Sequence, residues 1–188
     1  MSVVLITSPP AVEPVALSDI LSACRQTAGV DDARLLALAL AARRRIEEAL
    51  GLCMIATGVT ERRDAWAPVD ARGGLTLARG PLLSVDAVAT ANILMAFQTV
   101  DPGYYVPLIG SWPGQIGPSG LSFIQPTARG NGLRIDYHAG YGATPDLVPA
   151  PLKEAVLALT AYAYDREAEE PPLSVAEPWI SAWRKARL

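Results

Sequence analysis

Histidine and lysine are scarce in this sequence. It has one histidine, His138, and only two of its sixteen basic residues are lysines. A single histidine excludes a metal centre built from several histidines, and any acid–base chemistry by histidine would depend on His138 alone. The two cysteines, Cys24 and Cys53, are far apart and form neither a CxxC pair nor a metal-ligand spacing. We expect both to be small buried hydrophobic residues of a protein made in a reducing compartment.

The chain also lacks a basic excess and a long apolar run. Sixteen Lys and Arg residues against nineteen Asp and Glu give a net charge of −3. A protein that binds nucleic acid by itself usually carries a basic excess, because it must neutralise phosphates. The longest apolar run, Leu35–Ala42, is far shorter than the roughly 20 residues of a membrane span. No positive charge precedes the apolar N-terminal stretch, so we expect no signal peptide and a soluble protein.

Motifs for catalysis and phosphate binding are missing as well. No GxSxG nucleophile elbow occurs. The stretch GYG is followed by seven residues, ATPDLVP, before the next predicted helix begins, so its amides cannot line up with a helix N-terminus. His138 ends an alternating strand pattern, and we expect it to make a local hydrogen bond. The sequence therefore predicts no enzyme, no cofactor and no metal; the alternative is a small α+β hydrolase or ligand-binding domain using His138 and an acid.

Two strong helical patterns flank a middle that is rich in β-strand residues. Apolar residues recur at helical spacing from Leu35 to Leu50, and Gly51 is a natural helix end. A second helix is predicted in VPAPLKEAVLALTAYAYDRE, which has proline in its first turn. From Leu52 to about Tyr137, short β-prone runs alternate with Gly, Pro, Asp and Asn, which indicates antiparallel strands. The predicted fold class is α+β, with helices in the N- and C-terminal parts packed with an antiparallel β-rich middle.

The sequence predicts three parts along the chain. Residues 1–17 form an extended arm, residues 18–164 a single α+β domain, and residues 165–188 a linker with a C-terminal tail helix. Ser18 is a plausible N-cap of a first helix that Gly29 ends. On the next helix, Arg43 with Glu47 and Arg44 with Glu48 can pair across one turn of a face that we expect to be solvated.

A loop rich in glycine and proline, Ile109–Gly120, is predicted to be exposed and adaptable. Trp112 at its centre would be costly to leave in water, so it either folds back on the sheet or contacts a partner. We assign Trp112, together with Tyr104 and Tyr105, to a candidate contact surface for a partner or a neighbouring subunit.

The segment YHAGYG…VPAPLKEAVLALTAYAYDRE, joined to the C-terminal PWISAWRKARL, resembles the head–tail connector (adaptor) family of long-tailed phages and gene transfer agents. The resemblance covers nearly the whole chain in order, from the arm ITSPPAVEPVALSD and the helix ending in IEEALG to the tail. Its strength lies in the order and spacing of these motifs. The tail departs from the family pattern, with Trp179, Ile180 and Trp183–Arg184 in place of a Leu-rich stretch followed by Tyr-Arg. The Trp112 loop also looks longer than is typical.

This resemblance implies a structural protein and not an enzyme. The family forms a ring, commonly dodecameric, which docks beneath the portal of a DNA-filled head, extends the DNA channel and offers an attachment surface to the stopper or tail. The implied partners are other copies of this chain, the portal protein and a stopper or tail-completion protein. DNA would pass through the channel without specific binding. The implied location is the neck of a phage or gene transfer agent particle assembled in the bacterial host cytoplasm, and the isolated chain can be a monomer.

The tail supplies the candidate portal interface. An apolar face on a terminal segment beyond an acidic linker has little core left to join, and aromatic and arginine residues dominate interface energies. The alternative is that this face packs on its own domain. Another structural possibility is a tail-completion or other neck protein placed one layer lower. The residues that we assign to the portal interface are Trp179, Ile180, Trp183, Arg184 and Arg187.

Overall fold

The computed structural model describes residues 2–66, 74–120, 124–166 and 171–185. The chain forms two compact units. The first, here called the sheet unit, contains residues 1–10 and 56–141; the second, the helical unit, contains residues 11–55 and 142–188. The chain thus crosses from one unit to the other three times. This division differs from the predicted ranges 1–17, 18–164 and 165–188, because both units combine segments that are distant in sequence.

Within the described residues, the sheet unit has eight strands in two antiparallel sheets. The strands are β1 (Val3–Ser8), β2 (Thr57–Arg63), β3 (Leu75–Thr76), β4 (Leu82–Ala91), β5 (Phe97–Thr99), β6 (Tyr105–Leu108), β7 (Gln115–Pro118) and β8 (Leu133–Ala139). The larger sheet has the order β1-β2-β8-β4-β5, and the smaller has the order β3-β7-β6. Antiparallel pairing was expected from the short runs separated by turn residues, and it is confirmed.

Strand β8 lies at the centre of the five-stranded sheet, between β2 and β4. Its side chains alternate between the two faces, as the period of a strand requires. The buried side carries Leu133, Ile135, Tyr137 and Ala139. The other side carries the polar residues Arg134, Asp136 and His138.

Part of the predicted N-terminal arm is a regular strand. β1 pairs with β2, from Val3 opposite Arg62 to Ser8 opposite Gly58. It forms one outer edge of the five-stranded sheet, and β5 forms the other. The β-branched residues of VVLITS favour this conformation, and the prolines at 9 and 10 end it.

The helical unit contains α1 (Leu17–Ala23), α2 (Asp32–Leu50), α3 (Ala150–Asp165) and α4 (Glu177–Lys185) among its described residues. Helices α1, α2 and α3 pack on one another, and α4 packs on α3. Of the apolar residues at helical spacing in α2, Leu35, Ala39, Ala42, Ile46 and Leu50 are buried, whereas Leu36 is exposed. Gly51 ends α2 in the left-handed conformation, with φ +66°, as the sequence predicts. The α+β class is confirmed.

The limits of α1 differ from the prediction. The helix begins at Leu17, so Ser18 lies inside it, and the backbone carbonyl of Ala16 accepts the N–H groups of Asp19 and Ile20. It ends at Ala23, before Gly29, because Arg25 adopts a left-handed conformation with φ +54°.

In the described part of the chain, no helix has the length and apolar character needed to cross a membrane.

Candidate interaction surfaces

The stretch AGYG marks the point where the chain leaves the sheet unit and enters the helical unit. Gly140 (φ +140°) and Gly142 (φ +153°) both adopt conformations that residues with a Cβ rarely take. The N–H of Gly140 donates to the carbonyl of Pro81 at 2.8 Å. A Cβ on Gly142 would lie 2.2 Å from Cδ1 of Leu147, in the turn that precedes α3. These glycines therefore allow the chain to bend where it leaves the sheet unit, and they do not form a phosphate-binding loop.

His138 contacts a carboxylate on the neighbouring strand β4. Its Nδ1 lies 3.0 Å from Oδ2 of Asp86, and both side chains are about half exposed on the polar face of the sheet. Ser84 donates its hydroxyl to Oδ1 of Asp86 at 3.3 Å. A hydrolytic triad requires the histidine between the nucleophile and the acid, whereas here the acid lies between the serine and the histidine. Among the described residues, this cluster therefore contains no nucleophile–base pair.

Both cysteines are buried, as expected. Burial and, to a smaller extent, the carboxylate of Asp165 raise the pKa of the Cys24 thiol. A raised pKa keeps the sulfur protonated, and the protonated thiol is a poor nucleophile and metal ligand. No group of three or more His, Cys, Asp and Glu residues within the described ranges is placed to hold a metal ion.

A buried carboxylate joins the two sheets of the sheet unit. Glu61 of β2 has no exposed surface. Its Oε1 accepts from Arg63 at 2.5 Å, and its Oε2 accepts from the backbone N–H of Ala78 at 2.9 Å and from the hydroxyl of Tyr137 at 3.2 Å. Arg63 also donates to the carbonyl of Thr76 in β3. The bonds to Ala78 and Thr76 connect the segment around β3 to the five-stranded sheet, whereas the bonds of Glu61 to Arg63 and Tyr137 lie within that sheet. The cluster therefore links the two sheets.

A second buried cluster organises the helical unit. Arg43 of α2 is buried, and its Nη1 donates to Oε2 of Glu47 at 2.7 Å. The pairing of these two residues was predicted, but they are buried, whereas Arg44 and Glu48 are exposed as expected. Arg43 also binds Glu13 from the N-terminal segment, and the backbone N–H of Met54 donates to Oε1 of Glu47 at 2.8 Å. Arg43 and Glu47 are buried because the chain segments before and after the helix both fold onto them.

Helix α4 carries four of the five residues assigned to the portal interface. Ile180 is completely buried, whereas Trp179 and Trp183 are half-buried and Arg184 is exposed. The guanidinium of Arg184 lies 3.0 Å from Oε2 of Glu177 on the same helix. The apolar face is thus shared: Ile180 faces the helical unit, in which α4 packs on α3, and the two indoles remain partly accessible. Arg187 lies outside the described residues.

The loop around Trp112 is tied to its own unit. Backbone bonds join Gly110 N–H to the carbonyl of Leu82 at 2.8 Å and Leu82 N–H to the carbonyl of Ser111 at 3.2 Å. Residues 115–118 of the expected loop are strand β7. Trp112 is half-buried, and its Cδ1 lies 3.1 Å from where a Cβ on Gly80 would be. Part of the segment expected to be a loop is thus regular strand, and the glycines at 80 and 114 permit close packing of the rest against residues 80–82.

Tyr104 and Tyr105 lie at the opposite end of the β6–β7 hairpin from Trp112, so the structure does not bring the three together. Tyr105 is buried, and this burial, with a smaller effect of Asp101, raises the pKa of its phenol. Tyr104 is exposed and continues into a row of exposed apolar side chains along β6, which is an outer strand of the smaller sheet. We call this row the β6 stripe; it consists of Tyr104, Val106, Leu108 and Ile109.

A groove lies between α2 and α3 in the helical unit. It encloses about 340 Å³ and is lined by the apolar residues Leu38, Leu159 and Pro171, with Arg44, Arg45 and Glu48 also along it. It contains no cluster of nucleophile and base.

Comparison with known proteins gives matches at the level of structure. No protein-family model matches the chain, and no curated protein matches its sequence. A chain in the neck of an empty GTA particle, computed with C6 symmetry, is 22% identical over 94% of both chains, with a TM-score of 0.76. A chain in the virion of a native gene transfer agent (GTA) particle is 22% identical over 94% of both, with a TM-score of 0.73. A chain in the neck of a native GTA particle, computed with C12 symmetry, is 23% identical over 93% of this chain and 94% of that one, with a TM-score of 0.67.

This chain has the fold of those gene transfer agent chains. The likeness extends over nearly its whole length and over both of its units. It confirms the fold that the resemblance to head–tail connectors implies.

Sequence reasoning missed the two buried carboxylate clusters. Glu13 lies in a segment predicted as an extended arm, and Glu61 lies in a strand whose alternation places it on the buried side. The one available signal was that alternation, since a charged residue at a core-facing position of a strand requires a partner.

Proposed function

We propose that this chain is a structural neck protein of a gene transfer agent or phage particle, a head–tail connector that forms a ring beneath the portal. The observation that carries the proposal is the shared fold over 94% of both chains with a protein in a GTA particle neck. Coverage of this extent includes both units of the chain, so the likeness is not that of one common module.

The ring is supported by the symmetry of the related particles. Two of the similar chains belong to necks computed with C6 and C12 symmetry, and a dodecameric ring is compatible with both. A chain of net charge −3 suits the wall of a DNA channel, because a basic wall would bind the phosphates and release their counterions. In this proposal DNA passes through the ring without specific binding, and the chain is assembled with the particle in the host cytoplasm.

We place the portal contact on α4. Its two half-buried indoles, Trp179 and Trp183, can become fully buried in a groove of the portal, and Arg184 can exchange its intrahelical partner Glu177 for a portal carboxylate. Arg187 belongs to the same proposed surface. Ile180 takes a different role here: it anchors the helix to the helical unit, so the helix docks as a fixed element of that unit.

We place the stopper or tail contact on the sheet unit, on the β6 stripe. Tyr104 is its aromatic member, Val106 and Leu108 are exposed aliphatic residues of the outer strand β6, and Ile109 follows them in the turn. Tyr105 and Trp112 support this hairpin from within, since one is buried and the other is half-buried against residue 80.

The portal contact can be tested with purified proteins. The double substitution Trp179→Ala and Trp183→Ala should reduce binding to the portal protein of the same particle at least 10-fold, because large aromatic anchors dominate interface energies. His138→Ala is the matched control for the hydrolase alternative and should leave both binding and particle formation unchanged. Binding can be measured by co-elution in size-exclusion chromatography, with circular dichroism to confirm folding. Unchanged binding by the folded double variant would remove α4 from the interface.

A further inference from the structure

The hairpin turn between β4 and β5 presents three consecutive large apolar side chains to solvent. Ile93, Leu94 and Met95 are exposed by 71, 84 and 47%. Ordinary surface hydrophobic residues occur singly, and a contiguous group usually marks an interaction site. No residue from 92 to 99 is charged. We call residues 92–95 the β4–β5 tip.

Hydrogen bonds within the turn hold the backbone of the β4–β5 tip. The side-chain Oδ1 of Asn92 accepts the backbone N–H groups of Leu94 at 2.9 Å and Ala96 at 3.0 Å. The N–H of Met95, which has φ +61°, donates to the carbonyl of Asn92 at 2.9 Å. A tip held in this way loses little conformational entropy on association, so most of its apolar burial contributes to affinity.

The opposite edge of the same sheet is also apolar and uncharged. In β1, Val3, Leu5 and Ile6 are exposed by 38, 50 and 58%. Exposed edge strands usually carry a charge or a proline, because an unprotected edge pairs with other chains. VVLITS contains neither. The β4–β5 tip and the β1 edge thus both present uncharged apolar side chains, and neither repels the other electrostatically.

The β4–β5 tip and the start of β1 lie at the same end of the sheet. Thr90, near the end of β4, is opposite Leu133 at the start of β8, which in turn is opposite Arg63 at the end of β2. The neighbouring Arg62 is opposite Val3 at the start of β1. The tip of one copy and the start of β1 in another can therefore meet at this end of their sheets.

We propose that the β4–β5 tip of one copy packs against the β1 edge of the next copy, head to tail. The two surfaces differ, so an open chain of copies keeps a free tip at one end and a free β1 edge at the other. Only closure of the ring uses both. This inference rests on the proposed ring and identifies the surface that builds it.

The size of the surface indicates when the contact forms. Six partly exposed aliphatic side chains supply a patch of roughly 300–600 Å², below the ~1,200 Å² of total area that stable pairs usually bury. One such contact is weak by itself, whereas in a closed ring every copy makes two. We therefore expect the contact in assembled particles and not between isolated copies in dilute solution.

Disulfide trapping in particles tests the contact. Particles carrying Leu5→Cys and Leu94→Cys in the same chain should, after mild oxidation, give a ladder of covalent oligomers on a non-reducing gel. Leu94→Cys with Val30→Cys is the matched control: Val30 is 88% exposed but belongs to the helical unit, and this pair should give no ladder. The native Cys24 and Cys53 are buried and should not contribute.

The outcomes separate this inference from the proposed function. Absence of the ladder, with the chain present as a ring at the neck, would overturn the contact and leave the function intact. A dimer formed by Leu5→Cys alone would also overturn it, since it would show β1 pairing with itself. Absence of the unmodified chain from purified particles would instead overturn the function.

A charge substitution provides a second readout that does not depend on oxidation. Leu94→Glu should reduce the yield of tailed particles at least 10-fold, and Val30→Glu should leave it unchanged, with both purified chains folded by circular dichroism. If Leu94→Glu particles retain the ring but lose their tails, the tip contacts the stopper or tail, and the proposed contact is wrong.

Discussion

Arg43 donates two hydrogen bonds to Glu13, which lies thirty positions earlier in the sequence. Nε donates to Oε2 at 2.7 Å, and Nη2 donates to Oε1 at 3.2 Å. The remaining end of the guanidinium binds Glu47, which in turn accepts the backbone N–H of Met54. One arginine thereby joins the segment that enters the helical unit to the segment that leaves α2.

Arg43→Ala should lower the free energy of unfolding by about 3–5 kcal/mol, because it leaves the carboxylate of Glu47 buried without its cation. Arg44→Ala, at the exposed neighbouring position, is the control and should change stability by no more than about 0.5 kcal/mol. Urea denaturation followed by circular dichroism measures both. Equal effects of the two substitutions would contradict the role of the cluster.

Glu61→Gln should lower the free energy of unfolding by about 1.5–3 kcal/mol, because it replaces the charge-assisted hydrogen bonds of a buried carboxylate with weaker ones. The comparison is Asp86→Asn, which alters the contact of a half-exposed carboxylate with His138 and should lower the free energy of unfolding by at most about 1 kcal/mol. Thermal unfolding of the two variants shows which substitution destabilises the protein more. A smaller loss of stability for Glu61→Gln than for Asp86→Asn would contradict the prediction.

Gly142→Ala tests the joint between the units. The new Cβ meets Leu147 at 2.2 Å and requires a strained φ of +153°, so we expect a loss of about 1–3 kcal/mol. Gly120 has open space around the position of a Cβ, and Gly120→Ala should be neutral or stabilising by up to about 1 kcal/mol. Chemical denaturation of the two variants measures the difference between their free energies of unfolding. No difference is expected if the AGYG segment is a free loop.

Tyr164 gives the helical unit a dependence on alkaline pH. Its hydroxyl donates to Oδ2 of Asp31 at 2.7 Å, and this bond is the main cause of the raised pKa of the phenol. The folded protein holds the proton more tightly than the unfolded chain does. The stabilisation is therefore fully present below the unfolded pKa of about 10 and is lost as the pH rises through the folded pKa.

Tyr164→Phe removes this dependence. The difference in melting temperature between the unmodified protein and this variant should be largest near pH 8 and should shrink as the pH rises above 10. Tyr104→Phe, at an exposed position of the sheet unit, controls for loss of a hydroxyl as such. A difference for Tyr164→Phe that stays constant from pH 8 to 11 would show that the bond to Asp31 does not couple to folding.

Local patterns predicted the elements of this fold well. The helical spacing from Leu35 to Leu50 and the left-handed Gly51 mark α2, and the alternation in LRIDYHA marks β8. These features depend on residues within a few positions of one another, which the sequence displays directly. The resemblance to head–tail connectors added the order of the elements, and the shared fold confirms it.

Features that depend on distant segments could not be predicted in this way. Arg43 is buried because the segment that contains Glu13 folds onto α2. The spacing of residues within α2 predicts only an exposed ion pair. Likewise, the apolar side of the tail suggested one docking face, whereas Ile180 is buried and the two tryptophans are half-buried. The division into two units escapes sequence reasoning because the chain crosses between them three times.

The most direct test of the account is electron microscopy of purified particles from the source of this chain, at a resolution that allows side chains to be assigned. The account predicts density for this chain as a closed ring between the portal and the tail, with α4 against the portal. A neck whose density excludes this chain, in particles that are otherwise complete, would contradict it.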